Sequence, residues 1–153
     1  MFQGGVKLVD FKELSKECTI ENFPAPDRVI IPLSQHTGIP SKPLVKKGDS
    51  VLKWQLIGEN AGFISSAIHS SVSGTVVGIE NCPLPAGKTS PAVVIENDGK
   101  DTQIEPLNRV WQNLKPEEII SIVRDSGIVG MGGAAFPSSV KLTIPKGKKA
   151  EHV

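Results

Sequence analysis

Glycine and proline interrupt this sequence so often that long helices have little room in it. Fifteen Gly and twelve Pro fall within 153 residues, and such punctuation dictates frequent turns and short strands. Residues 1–26 show no sustained period and predict an irregular leader. From Arg28 the character changes, and Val29-Ile30-Ile31 with Leu33 form a β-rich run. Pro32 has no N–H to give to a ladder, which places that strand at a sheet edge or near its own end. Pro43-Leu44-Val45, then Lys46-Lys47-Gly48-Asp49, then Val51-Leu52 and Leu56-Ile57-Gly58 read as a hairpin-like strand–turn–strand. Ala67-Ile68-His69, Val72–Ile79 and Pro91–Glu96 continue the pattern, and Asn97-Asp98-Gly99 closes it with turn chemistry. Many short strands at close intervals predict a compact β sandwich or barrel.

Helical periodicity arrives late. Pro116-Glu117-Glu118 opens a run in which Ile119, Ile120, Ile122 and Val123 share a helical period. Proline and acids suit a helix start, Arg124 suits its last turn and Gly127 its stop. A boundary is expected near residues 100–110, where β-rich sequence gives way to an αβ pattern.

That helix leads directly into Gly127-Ile128-Val129-Gly130-Met131-Gly132-Gly133-Ala134-Ala135-Phe136-Pro137. Core packing does not explain four glycines and two alanines in the first nine of these residues. Glycine permits positive φ and close backbone approach, and a loop of free N–H groups forms an anion site. Pro137 is a candidate first residue of a following helix, with Ser138 and Ser139 offering hydroxyls. Lys141, one turn on, is placed to bring a positive charge near a phosphate, and Phe136 to stack on a planar ring. The ordinary alternative is a tight turn. The spacing is not the dinucleotide fingerprint, because a helix and not a strand precedes it, and it lacks the Gly-Lys-Ser/Thr ending of a Walker A loop.

Composition narrows the remaining classes. The formal net charge is +1, lysines are scattered, and there are five Phe, two Trp and no Tyr, so nothing points to nucleic acid. Cys18 and Cys82 are too few for a Cys₄ zinc site or a four-iron cluster and predict two unpaired thiols in a reducing compartment. No stretch approaches the roughly 20 apolar residues of a membrane-spanning helix. His36 and His69 are isolated, with a structural role weighed above metal ligation. Trp54 and Trp111 are expected to pack. The basic tail, Lys146, Lys148 and Lys149, reads as a solvated linker, with anionic lipid as the rival.

Two resemblances carry further implications. The Gly-Asp turn at 48–49 and the later Ser73-Gly74-Thr75-Val76 resemble the two quasi-symmetric halves of lipoyl and biotinyl carrier domains, which implies a barrel-sandwich hybrid. Those carriers use a lysine at the tip between the halves. Glu59–Ser66 has none, so the resemblance extends to the fold and not to a swinging arm.

Gly130–Lys141 resembles the glycine-rich segment of the flavin-bearing subunit of respiratory complex I. Ile31–Gly38, Pro43–Asp49, Phe63–Ser70 and Ser73-Gly74 resemble the N-terminal part of the C subunit of the Rnf electron-transport complex. The motif order runs from about residue 4 to Lys141. The resemblance implies a mostly β fold with an α/β extension: a leader over 1–26, a barrel-sandwich hybrid over 27–105, and the start of a flavin/NADH-binding α/β domain over 106–153. It implies flavin mononucleotide (FMN) and NADH as cofactors, with Gly130, Gly132, Gly133, Ala135, Phe136 and Lys141 at the cofactor. Two 4Fe-4S clusters and the acidic contacts to the nucleotides are expected beyond Val153, so that this chain alone binds flavin poorly or not at all. Ferredoxin-type carriers and other subunits of a membrane complex are the implied partners, at the inner face of the cell membrane in the cytoplasm. The rivals are a non-catalytic docking module and a cobalamin-reducing subunit of a microcompartment, which shares the motif order. Three departures stand out: Ala135 where many relatives have glycine, Met131 in place of an arginine, and Lys7-Leu8 where relatives often show His-Pro.

Overall fold

A computed structural model describes residues 4, 9–85, 87–106 and 110–150, with the side chain of Trp111 excepted. The Lys7-Leu8 departure and the packing role expected of Trp111 fall outside that description. Seven strands follow one another: β1 Arg28–Pro32, β2 Lys42–Pro43, β3 Ser50–Val51, β4 Leu56–Glu59, β5 Ile68–His69, β6 Gly74–Pro83 and β7 Thr89–Asn97. They make a four-stranded sheet in the order β1-β7-β6-β3 and a three-stranded sheet in the order β2-β4-β5, with antiparallel pairing throughout. The mostly β, two-sheet architecture fits the barrel-sandwich expectation.

The strands form where they do for reasons visible in their side chains. β1 alternates, with Ile31 buried and Ile30 half exposed, and it is an edge strand that ends on Pro32. No ladder bond is lost there. β7 is flanked on both sides, and Ala92, Val93, Val94 and Ile95 are all fully buried. A continuous apolar run is what a strand covered on both faces requires. β6 carries a register shift between Val76 and Gly78, a bulge that increases local twist. Ile31, Leu33, Val51, Ile57, Ile68, Val72, Val76, Val93 and Ile95 form the core, drawn from both sheets.

One expectation is corrected. The Gly48-Asp49 turn does not join the two strands of a hairpin. The strand before it, β2, pairs with β4, while the strand after it, β3, pairs with β6. The turn passes the chain from one sheet to the other. Its geometry explains why: the Lys46 N–H donates to the Asp49 carboxylate at 2.9 Å, and Gly48 sits at φ +93°. Gly48 N–H then donates to Val76 O at 2.8 Å and Val76 N–H to Asp49 O at 2.9 Å, so the turn is stitched to β6.

Just before the start of β6, the Ser73 hydroxyl donates to Asp98 at 2.7 Å and accepts from Thr102 N–H at 3.1 Å. The Ser73 hydroxyl is the main cause that holds the Asp98 carboxyl below the usual range, followed by the Lys100 amide.

Beyond the sheets lie α1, Pro116–Asp125, and a short α2, Ser138–Leu142. Proline opens α1 and Glu118 accepts the Lys115 N–H at 2.8 Å, satisfying an end group. Its stop is a Schellman motif: Ile128 N–H bonds back to Val123 O, and Gly127 N–H to Arg124 O, with Gly127 at φ +71°. That glycine is needed twice. A Cβ on it would overlap the Ala67 carbonyl oxygen beside β5, so the helix stop is also where the C-terminal segment touches the barrel.

Candidate anion-binding site

The glycine-rich segment folds into a closed loop. Val129 and Pro137 form an antiparallel bridge, Gly130 N–H donates to Phe136 O at 2.9 Å, and Ser138 N–H to Ile128 O at 3.0 Å. Residues 131–134 stand exposed beyond this neck. Among the described residues, the amides of 131–136 have no acceptor within the chain, so six donors face solvent or a ligand. A Cβ at Gly132 or Gly133 would meet open space, and Gly133 has φ +101°.

Three of the residues expected at a cofactor converge. A Cβ at Gly130 would lie 3.2 Å from Lys141 Nζ and 4.0 Å from the Phe136 backbone N. Lys141 Nζ sits 5.9 Å from the centre of the Phe136 ring, a cation–π distance. An ammonium, an unpaired amide and a glycine without a side chain therefore share one cradle, which suits a phosphate oxygen. Among the described residues Lys141 makes no ion pair. One face of Phe136 is taken by Lys141, so the ring offers at most its other face to a planar ligand. Gly132 and Gly133 belong to the exposed tip and not to the cradle. Met131 is 97% exposed.

Ala135 is in the left-handed region at φ +46°, which costs a residue with a Cβ about 1–2 kcal/mol. Its methyl group is half-buried rather than raised at the tip. Thr37 of the barrel holds it there: the Thr37 hydroxyl donates to Ala134 O and Thr37 N–H to Ala135 O at 3.3 Å. Pro137 caps α2 and Ser138 begins it. Ser139 is buried, its carbonyl accepting the Thr143 hydroxyl at 2.8 Å, whereas Lys141 is exposed.

The histidines separate into two roles. His36 is buried; its Nε2 accepts the Ser66 N–H at 3.1 Å and its Nδ1 lies 3.2 Å from Thr37 O. Those bonds assign the proton to Nδ1. The Ser41 hydroxyl, 3.1 Å from Nε2, donates to Ser66 O at 2.6 Å. His36 is thus structural. His69 lines a small cavity of about 210 Å³ with His36 and Gly127, and a larger groove of about 820 Å³ with Trp54, Glu118 and Asp125. Burial disfavours the charged imidazolium and pushes its pKa below the ordinary value.

Trp54 is half exposed on the rim of that groove, with Lys53 Nζ 5.5 Å from its ring centre. No group of three His, Cys, Asp or Glu among the described residues is arranged to hold a metal. Cys18 and Cys82 are both free thiols. The basic tail is exposed.

Sequence reasoning did not connect His36 and Thr37 to the glycine loop. The signal available was their place within Ile31–Gly38, a segment that carried the resemblance but no assigned role. The tip between the halves, Glu59–Ser66, carries no lysine and presents Phe63 at 75% exposure.

Comparison with known proteins bears on the fold and the family. Residues 1–100 match the family model described as the RnfC barrel sandwich hybrid domain. The C subunit of the proton-translocating ferredoxin:NAD(+) oxidoreductase complex of Clostridium ljungdahlii is 47% identical over 98% of this chain and 33% of that protein. The C subunit of the Na(+)-translocating complex of Acetobacterium woodii is 43% identical over 99% of this chain and 35% of its own length. The C subunit of the ion-translocating oxidoreductase complex of Pseudomonas aeruginosa is 39% identical over 97% of this chain and 20% of that protein. The chain spans about a third or less of the length of these relatives. It belongs to the family of the RnfC barrel sandwich hybrid domain.

Proposed function

We propose that this chain is the N-terminal portion of an electron-transfer subunit that passes electrons between ferredoxin and NAD, and that its glycine loop forms the phosphate-binding half of an FMN site. The carrying observation is the cradle, in which the Lys141 ammonium and the free Phe136 amide meet beside Gly130. When bound, FMN supplies exchange between hydride equivalents and single electrons. The chain's own residues do less: Lys141 neutralises phosphate charge, the loop amides donate to its oxygens, Gly130 leaves room for it, and Gly132 and Gly133 keep the tip uncrowded. The α/β character of 106–153, NADH binding beside the flavin, and 4Fe-4S clusters in the remaining two-thirds belong to this reading. So does attachment to the inner face of a membrane through other subunits. Among the described residues no helix is long and apolar enough to cross one.

A polypeptide extended to the relatives' length is expected to bind FMN more tightly than riboflavin, which lacks the phosphate. Lys141→Met should weaken FMN by about tenfold, the scale of one charge-assisted contact, and leave riboflavin unchanged. The measurement is flavin fluorescence quenching. Equal affinity for both flavins, insensitive to Lys141, contradicts the reading. Absence of flavin from both the extended and the present chain would leave a docking module as the function. That second reading is favoured by the exposed apolar side chains of the leader, Val9, Phe11, Leu14, Ile20 and Phe23.

A further inference from the structure

Among the described residues Thr37 makes the hydrogen bonds between the barrel and the tip of the glycine loop, and the stereochemistry of those bonds dictates which way the loop's donors point. The Thr37 hydroxyl takes the carbonyl oxygen of Ala134, and the Thr37 N–H takes that of Ala135. No peptide in the described chain is cis. Across a trans peptide the C=O and the following N–H point in opposite directions. With both oxygens held toward Thr37, the N–H groups of Ala135 and Phe136 are turned away from the barrel. The Phe136 nitrogen is part of the cradle: a Cβ on Gly130 would stand 4.0 Å from it and 3.2 Å from Lys141 Nζ.

Thr37 is itself fixed. The ring of His36 bonds to the Thr37 carbonyl and to the Ser66 amide. The next turn is clamped by Ile39 N–H on Ile64 O at 2.9 Å, and a Cβ at Gly38, φ +106°, would overlap that same oxygen. A donor on a rigid element therefore orients a loop that has no regular structure of its own.

We propose that Thr37 is a positioning residue, through which the barrel turns the amides of Ala135 and Phe136 toward a phosphate-bearing ligand. The inference rests on the FMN reading and adds a role for the barrel in cofactor affinity. With the hydroxyl gone, the 134–135 peptide is released and its N–H leaves the ligand's side, while the Thr37 backbone bond to Ala135 persists.

The test uses the polypeptide extended to the relatives' length, titrated separately with FMN and riboflavin. Thr37→Val, which keeps the shape and loses the hydroxyl, should weaken FMN by roughly fivefold to tenfold, about one hydrogen bond to a charged group. Riboflavin affinity should stay level, and Thr37→Ser should restore FMN affinity to near that of the parent. Unchanged FMN binding in Thr37→Val, in a parent that prefers FMN, overturns the positioning role alone. So does an equal loss for both flavins, which would mark general loosening of the loop. A parent with no preference for FMN overturns the underlying site reading and this role together.

Discussion

Gly127→Ala is expected to loosen the glycine-rich segment from the barrel at a cost of about 2–5 kcal/mol. Two terms add. The left-handed conformation at φ +71° costs alanine about 1–2 kcal/mol, and the new methyl group overlaps the Ala67 carbonyl oxygen, an overpacking typically worth about 1–3 kcal/mol. The Ala67 backbone is not free to move, because it leads into Ile68, which pairs with Gly58 in β4–β5. The C-terminal segment must give way instead. Amide hydrogen exchange separates this from general unfolding: Ile128, whose N–H bonds to Val123 O at the helix stop, and Gly130 and Ser138, whose bonds close the loop, should lose protection, while β6 and β7 keep theirs. Full protection of those three amides would mean that the contact between helix stop and barrel is not structural.

Ile57→Ala should act on the whole molecule. Ile57 is fully buried between the two sheets, and removing a buried isoleucine leaves a cavity that costs about 2–5 kcal/mol. For a domain of this size, Tm should fall by roughly 10–20 °C. Ile30 is the control, since it lies on β1 but is half exposed, and its alanine variant should stay within about 0.5 kcal/mol of the parent. Equal falls for both variants would show that the two-sheet core is misassigned.

How much of this was legible in the sequence depends on the range of the interaction concerned. Pro32 marked an edge strand because a missing N–H is a property of the residue alone, and α1 was readable from its proline, acids and glycine for the same reason. The Gly48-Asp49 turn was readable as a turn but not as a crossing between sheets. Its partner is Val76, 28 positions beyond Gly48, and local chemistry does not encode a partner so distant.

The candidate site divides in the same way. Free amides and an uncrowded tip at Gly132 and Gly133 follow from glycine itself. The meeting of Gly130 with Lys141 depends on the loop closing at Val129 and Pro137. The hold of Thr37 on Ala134 spans 97 positions and left no mark beyond the segment's family resemblance. Phe136 was read as a ligand platform, and its engagement with Lys141 could be seen only once α2 had placed that lysine.

The account depends most on the loop amides and Lys141 receiving an anion. Its most direct test is to follow the backbone ¹⁵N–¹H resonances of the polypeptide extended to the relatives' length as inorganic phosphate, and separately FMN, is added. The account predicts that the largest shifts fall on Met131 to Phe136 and on Lys141, saturate with each ligand, and spare the β6–β7 ladder. Saturable shifts centred on the groove around Trp54 and His69, with the amides of 131–136 unmoved, would contradict it.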